Sequence, residues 1–313
     1  MRSPNGAREA RPLGAVLGHL DAAGYDFVMP TLATHDRVAR RLDRARPGNL
    51  RDIFGWTRPF DAAGLPPILA ERLATAGVMR DAGGGLSSVT IRVSRLDGRL
   101  VLHSASNTGT DAVFLGPDSY RFVNLIDQVL ADGRPVERAL DVGTGAGAGA
   151  LAVAARRPAA RVWGSDINPT ALERLEANAA HAGLDVRPVH GDGLEAVDGA
   201  FDLIVANPPY IAGRGGRLYR DGGGLMGAEL AIDWVRAGLA RLTRGGRFVL
   251  YTGAAVVDGV DLVRDALEGF VTGDFALVYR EIDPDVFGGL LSREDYREVE
   301  RIAAVGAVLT REC

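Results

Sequence analysis

The chain has 313 residues, 47% hydrophobic and 24% charged, with a formal net charge of −4 and a pI near 5.8. That length holds about two domains, and the acidic balance provides no whole-protein field to draw in a polyanion. The one Cys, Cys313, excludes a disulfide framework or a thiol-rich metal site and fits a reducing cytoplasm.

All 36 basic residues are Arg, which a GC-rich genome explains more simply than site chemistry. After Arg2, Arg8 and Arg11, the apolar segment 13–20 is broken by Gly14, Gly18 and His19 and is too poor for a signal peptide. No uncharged apolar run approaches the ~18 residues of a spanning helix, so a soluble, unexported protein without a membrane partner is expected.

From residue 12 to about 77 the apolar spacing predicts four short helices, over 12–23, 34–46, 50–56 and 66–76, separated by Gly or Pro. Across 86–103 the period changes to two. Val89, Ile91 and Val93 share a face, Asp97-Gly98 supplies a type I′ turn, and Leu100 and Leu102 alternate, which predicts a β-hairpin. Helices followed by a hairpin suggest a winged-helix-like substrate-recognition domain over residues 1–112. Arg37, Arg40, Arg41 and Arg44 recur at i, i+3, i+4 and i+7 on the helix expected to bury Val38 and Leu42. Residues 31–60 carry seven Arg against three Asp. This is either a recognition surface for an acidic partner, protein or RNA, or a solvated helix face.

A linker is expected over 107–118, ending in Gly116-Pro117-Asp118-Ser119-Tyr120, where Asp118 or Ser119 can cap a helix over 120–131. Strands over 138–142, 161–165, 185–190, 201–206, 247–251, 275–279 and 302–310 then alternate with helices over 148–155, 169–181, 227–242 and 257–267. The expected fold of 113–313 is α/β, a doubly wound, mostly parallel seven-stranded Rossmann-like sheet whose ligands sit at the C-terminal strand edge.

Two motifs occupy that edge. Asp141-Val142-Gly143-Thr144-Gly145-Ala146-Gly147 is a strand running into a glycine turn and a helix, where backbone N–H groups can approach an anionic or carboxylate-bearing ligand. Gly143, Gly145 and Ala148 also satisfy a dinucleotide fingerprint, so a nicotinamide dehydrogenase is a rival. Three acids favour S-adenosyl-L-methionine. Asp141 would repel a pyrophosphate but suits a ligand amino group; Asp166, followed by Ile167, can take two ribose hydroxyls; Asp192, followed by Gly193, can accept from an adenine amino group. The alternative is a generic tight turn with acids capping helices.

Asn207-Pro208-Pro209-Tyr210 follows an apolar strand. The Asn207 amide oxygen and the Pro208 carbonyl can accept the two hydrogens of a planar NH2, the prolines fix the backbone, and Tyr210 can stack on the acceptor. An ordinary strand-ending turn is the plain alternative. Phe114 and Tyr120 are placed as lid or core aromatics, and the glycine-rich loop 211–226 as a segment able to close over the acceptor. His103, His181 and His190 lack metal-ligand spacing, so no metal is expected.

On Asp141 to Gly147, on Asp166 in Ser165-Asp166-Ile167-Asn168-Pro169 and on Asn207 to Tyr210, the chain resembles class I S-adenosylmethionine-dependent methyltransferases over residues 113–313. The HemK/PrmC type, which methylates a glutamine amide of translation release factors, looks most similar. The resemblance implies methyl transfer from S-adenosyl-L-methionine, a protein partner such as a release factor, and a role for Asn207 in donor as well as acceptor binding. The same tetrapeptide occurs in adenine-N6 methyltransferases of DNA and RNA, and Gly116 to Tyr120 departs from the release-factor group. A nucleic-acid adenine, a small-molecule amine and a non-catalytic donor-binding partner protein therefore stand as alternatives.

Overall fold

The computed structural model describes residues 12–41, 49–105, 109–210, 224–271 and 273–312. The N-terminal helices form where expected, as α1 (Pro12–Ala22), α2 (Leu32–Arg41), α3 (Leu50–Phe54) and α4 (Pro67–Thr75). Val16, Leu17 and Leu20 of α1 share a core with Leu69 and Leu73 of α4, all fully buried. Along α2 the buried residue is His35; Val38 is half-buried, and Leu42 and Arg44 lie outside the described residues.

Two ribbons follow in place of one hairpin. β1 (Met79–Gly83) pairs with β2 (Leu86–Val89), and β3 (Ile91–Leu96) pairs with β4 (Arg99–Ser104). Strand β1 is exposed along nearly its whole length, so it carries no apolar alternation by which sequence could reveal it. The second ribbon turns at Asp97 (φ 51°) and Gly98 (φ 74°), the left-handed pair that a type I′ turn requires.

The expected linker is part of the structure. Val113 N–H donates to Ser104 Oγ at 2.9 Å, the Ser104 N–H donates to the Val113 carbonyl, and Ala112, Val113 and Leu115 are buried; Asn107 lies outside the described residues. Helix α5 (Pro117–Leu130) begins earlier than expected, with Gly116 as its N-cap residue donating to Ser119 Oγ at 3.4 Å. Asp118 is therefore not a cap; it sits inside the first turn and is buried.

The rest is one wound sheet. In chain order it comprises β5 (Arg138–Val142), α6 (Ala148–Arg156), β6 (Arg161–Asp166), α7 (Pro169–Ala182), β7 (Val186–His190), β8 (Phe201–Ala206), α8 (Gly224–Gly227), α9 (Glu229–Leu239), β9 (Leu242–Val257), the short β10 (Val260–Asp261), α10 (Leu262–Glu268), β11 (Phe275–Asp283) and β12 (Arg301–Arg311). The strand order is β11-β12-β9-β8-β5-β6-β7, with β10 on the edge of β9. From β9 to β7 the strands are parallel, and β12 and β11 close the sheet antiparallel. This is the doubly wound, mostly parallel sheet expected. Strand β9 extends well beyond 247–251 at both ends, so the helix expected from 257 starts at Leu262.

Alternation divides the two faces. Leu203, Val205, Val249 and Tyr251 belong to one core, while Leu140, Val142, Ile204, Phe248 and Leu250 belong to the other. The order reverses between β5 and β8, the switch point at which ligands of such sheets bind.

Candidate active site

Parallel register brings the motifs together. Val142 of β5 lies opposite Ser165 of β6 and Ala206 of β8, so Asp166 at the end of β6 and Asn207 just past β8 stand at the level of Gly143, with Asp141 two residues earlier on the strand between them. They line a cleft of about 1110 Å³, which also takes in Gly143, Thr144, Gly145, Ile167, Asp192, Gly193, Pro208, Pro209 and Tyr210.

The glycine turn has two hard requirements. Gly143 holds φ at +65°, and a Cβ there would lie 2.6 Å from the ring of Trp234. Gly147 holds φ at +93°, with Leu175 2.5 Å from the position of a Cβ. Both conformation and space exclude a side chain at these positions. Gly147 is set behind the cleft as the N-cap of α6, so its part is to shape the turn.

Asp141 organises this turn. Its Oδ2 accepts from Thr144 Oγ1 at 2.6 Å and from the Ala150 N–H at 2.8 Å. Burial pushes its carboxyl up to about 7, against the pull of those hydrogen bonds. Asp166 accepts from Gly145 N–H and from Asn168 N–H, each at 2.9 Å, and burial raises its carboxyl as well. Each carboxylate thus lines the cleft while accepting from the backbone that shapes the site. The cap of α7 is a different residue, Asn168, which accepts from Thr170 N–H. Asp192 is exposed after β7, and Ile167 presents an apolar side chain that is 39% exposed.

Asn207 follows the last residue of β8. Among the described residues its Oδ1 is buried with no hydrogen-bond partner, an acceptor held in the cleft wall and left unused. Tyr210 is braced from three sides. Its ring lies against the backbone of Gly253, where a Cβ would come within 2.7 Å. It meets Phe287 at 5.5 Å between centroids, and it lies near the Asp118 carboxylate. Burial, and then the Asp118 carboxylate, push the Tyr210 phenol well up. Asp118 also accepts from Tyr251 OH at 2.8 Å and lies 3.5 Å from Arg121, which bonds Asp283 at 2.7 Å.

Among the cleft residues that no sequence motif marks are Trp234 on α9, which packs over Gly143 and Gly193, Phe287 between β11 and β12, and Asp285 beside it. Trp234 neighbours the buried positions Ala231, Ile232 and Val235, so its window shows an amphipathic helix and nothing more. Phe287 has φ +59°, an unfavourable value for a bulky residue that only coordinates reveal.

Phe114 lines the cleft, folded back against Gly116. Tyr120 turns away from it, and its hydroxyl accepts from Met29 N–H at 3.0 Å, so it belongs to the packing of the N-terminal segment. His103 is buried against Ser94, His190 meets the Ile167 carbonyl, and His181 lies 3.8 Å from Asp21. Of the loop expected to close over the acceptor, residues 211–223 lie outside the described residues. Among the described residues no helix is long and apolar enough to cross a membrane.

The family model of the methyltransferase small domain matches residues 123–250. The release factor glutamine methyltransferase of Deinococcus radiodurans is 48% identical over 89 residues, 28% of this chain and 32% of that protein. Its namesake in Bordetella pertussis is 48% identical over 82 residues, 26% of this chain and 30% of that protein. The matched segment spans about a third of these curated relatives. A solved 16S rRNA N2 G1207 methyltransferase from T. Thermophilus is 19% identical with a TM-score of 0.46, over 79% of this chain and 61% of that one. Residues 123–250 thus match the methyltransferase small domain, and over 82 to 89 residues the chain is similar to release factor glutamine methyltransferases.

Proposed function

We propose that the chain is an S-adenosyl-L-methionine-dependent N-methyltransferase acting on a planar amide nitrogen, a glutamine side chain of a protein such as a translation release factor. One observation carries this reading: Asn207 Oδ1, buried and without a partner among the described residues, in the same cleft as the glycine turn and the acids of β5 and β6. A buried acceptor left unpaired costs about 1 to 3 kcal/mol, a cost that an arriving N–H removes. The names of the relatives put a protein glutamine first.

The residues fit the donor. Asp141 faces its amino group, Asp166 its ribose hydroxyls and Asp192 its adenine amino group, with Ile167 and Trp234 as apolar walls and Gly143, Thr144, Gly145 and Gly193 giving close backbone approach. When bound, S-adenosyl-L-methionine supplies an activated methyl group. The chain's part is alignment, which can contribute up to about 7 to 11 kcal/mol. Asn207 Oδ1 and the Pro208 carbonyl accept the two amide hydrogens, so the nitrogen lone pair turns toward the donor. Pro208 and Pro209 bring no N–H of their own to compete, and Tyr210 with Phe287 walls the acceptor side. Residues 1–112 serve substrate recognition, and the working place is the cytoplasm.

The test is transfer of a radiolabelled methyl group into a cell lysate, split afterwards into protein, nucleic acid and small molecules. Label should enter protein and be recovered as methylated glutamine. Asn207→Ala should lower kcat by about 10²- to 10³-fold while leaving binding of S-adenosylhomocysteine nearly unchanged. Label in nucleic acid would move the acceptor to adenine, and no label in any fraction would leave a donor-binding partner protein.

A further inference from the structure

Helix α2 stands out from the body of the protein. Of its ten residues only His35 is buried, Val38 and Ala39 are half-buried, and the others are exposed. The His35 ring is held by Arg92 at 3.1 Å and lies tilted against Trp56. With 3.6 residues per turn, Arg37, Arg40 and Arg41 fall on the side opposite His35.

All three arginines are exposed, and none makes an ion pair, hydrogen bond or ring contact with a described residue. Elsewhere the chain commits its arginines: Arg95 to Asp26, Arg156 to Asp97 and Asp127, Arg247 to Asp132, Arg301 to Glu281. The helix dipole favours Arg40 and Arg41 near a C-terminus, but it gives no reason for Arg37 or for a run of three without a carboxylate between them.

The place of this ridge is specific. Thr31, Leu32 and Ala33, at the start of α2, line the same cleft as Asn207. Leu32 is an exposed apolar side chain there, at 38% exposure, and Val28, four residues earlier in the chain, is 60% exposed. An apolar foot at the cleft mouth thus continues into a basic ridge, in a protein whose net charge is negative.

We propose that this face of α2, with Val28 and Leu32 at its foot, docks an acidic face of the protein that carries the acceptor. The inference rests on the methyltransferase reading of the cleft and names the partner chemistry it needs. Charge decides for a protein over RNA. Asp118, Glu229, Asp233 and Asp285 line the cleft, and its Arg121 is engaged by Asp118 and Asp283. A strand carrying one phosphate charge per nucleotide would have to pass those carboxylates to deliver a base; a neutral or basic peptide loop would not. The acidic cleft accepts the loop while the basic ridge holds the acidic body behind it.

Fluorescein-labelled polyglutamate and labelled oligouridylate, titrated separately by anisotropy onto the full chain, test the proposal. Polyglutamate should bind, weaken as salt rises, and lose about tenfold or more in affinity on combining Arg37→Glu, Arg40→Glu and Arg41→Glu. Thermal stabilisation by S-adenosylhomocysteine reports that the triple variant is folded. Polyglutamate binding that the three substitutions leave unchanged would overturn the proposal. So would tighter binding of oligouridylate that the same substitutions abolish, which would assign the ridge to RNA. Failure of methyl transfer in the lysate would instead strike the reading of the cleft and leave the polyglutamate result standing.

Discussion

Asn178 grips the backbone of Leu102 on both sides: its Oδ1 accepts the Leu102 N–H at 2.8 Å and its Nδ2 donates to the Leu102 carbonyl at 3.0 Å. The same Nδ2 donates at 2.9 Å to the carbonyl of Ala146, inside the glycine turn. One fully buried amide on α7 therefore joins a strand of the N-terminal ribbon to the turn that shapes the donor side of the cleft. At the other end of the ribbon Arg156 of α6 bonds the Asp97 carboxylate.

Replacing Asn178 by Ala leaves the N–H and carbonyl of Leu102 unpaired in a dry environment, at about 1 to 3 kcal/mol for each group that stays unsatisfied. The urea midpoint should fall, and affinity for S-adenosylhomocysteine should fall with it because the Ala146 anchor is lost. An unchanged ligand affinity in a destabilised variant would separate the two roles.

Gly143→Ala adds strain at φ +65° and a collision with Trp234. Donor binding, read by thermal shift with S-adenosylhomocysteine, should be largely lost. Combining it with Trp234→Ala removes the collision but leaves the backbone strain, of order 1 to 3 kcal/mol, so binding should return only in part.

Asp141 makes the site sensitive to pH. Its carboxyl is raised from 3.8 to about 7 by burial, so the folded chain holds that proton more firmly than the unfolded chain does. This contribution favours folding below 3.8 and is lost as pH rises to about 7. Binding a cationic amino group needs the ionised form, so calorimetric affinity for S-adenosylhomocysteine should increase from about pH 6 to about pH 8. Asp141→Asn should flatten that profile and weaken binding at the upper end.

Gly253→Ala places a methyl group 2.7 Å from the Tyr210 ring. Overpacking of this kind costs about 1 to 3 kcal/mol. Here it should displace Tyr210 from Phe287 and Asp118, raising KM for the proposed acceptor about tenfold while donor affinity stays constant. A fall in kcat alone, with KM unmoved, would place Tyr210 outside acceptor binding.

The donor turn was legible because its chemistry is local. A strand, left-handed glycines and a helix start within ten residues declare a backbone that approaches a ligand, and Asn207 to Tyr210 declares rigid acceptors in the same way. Asp118 was read as a cap because a sequence window shows only its neighbours; its partners Tyr251 and Tyr210 lie about a hundred residues away. Strand β1 was missed because exposure removes the alternation by which strands are recognised.

By itself the sequence marked the candidate residues for holding a methyl donor and an NH2 group, since backbone freedom, rigidity and side-chain charge are properties of short segments. Only the tertiary structure decided that they face one cleft. The parallel register of β6, β5 and β8 sets Asp166 and Asn207 at the level of Gly143, two residues past Asp141, and among the described residues the buried Asn207 Oδ1 has no partner there. Trp234 and Phe287 arrive from distant elements to close its walls, because the sheet must bury both faces and those elements cover its carboxyl edge.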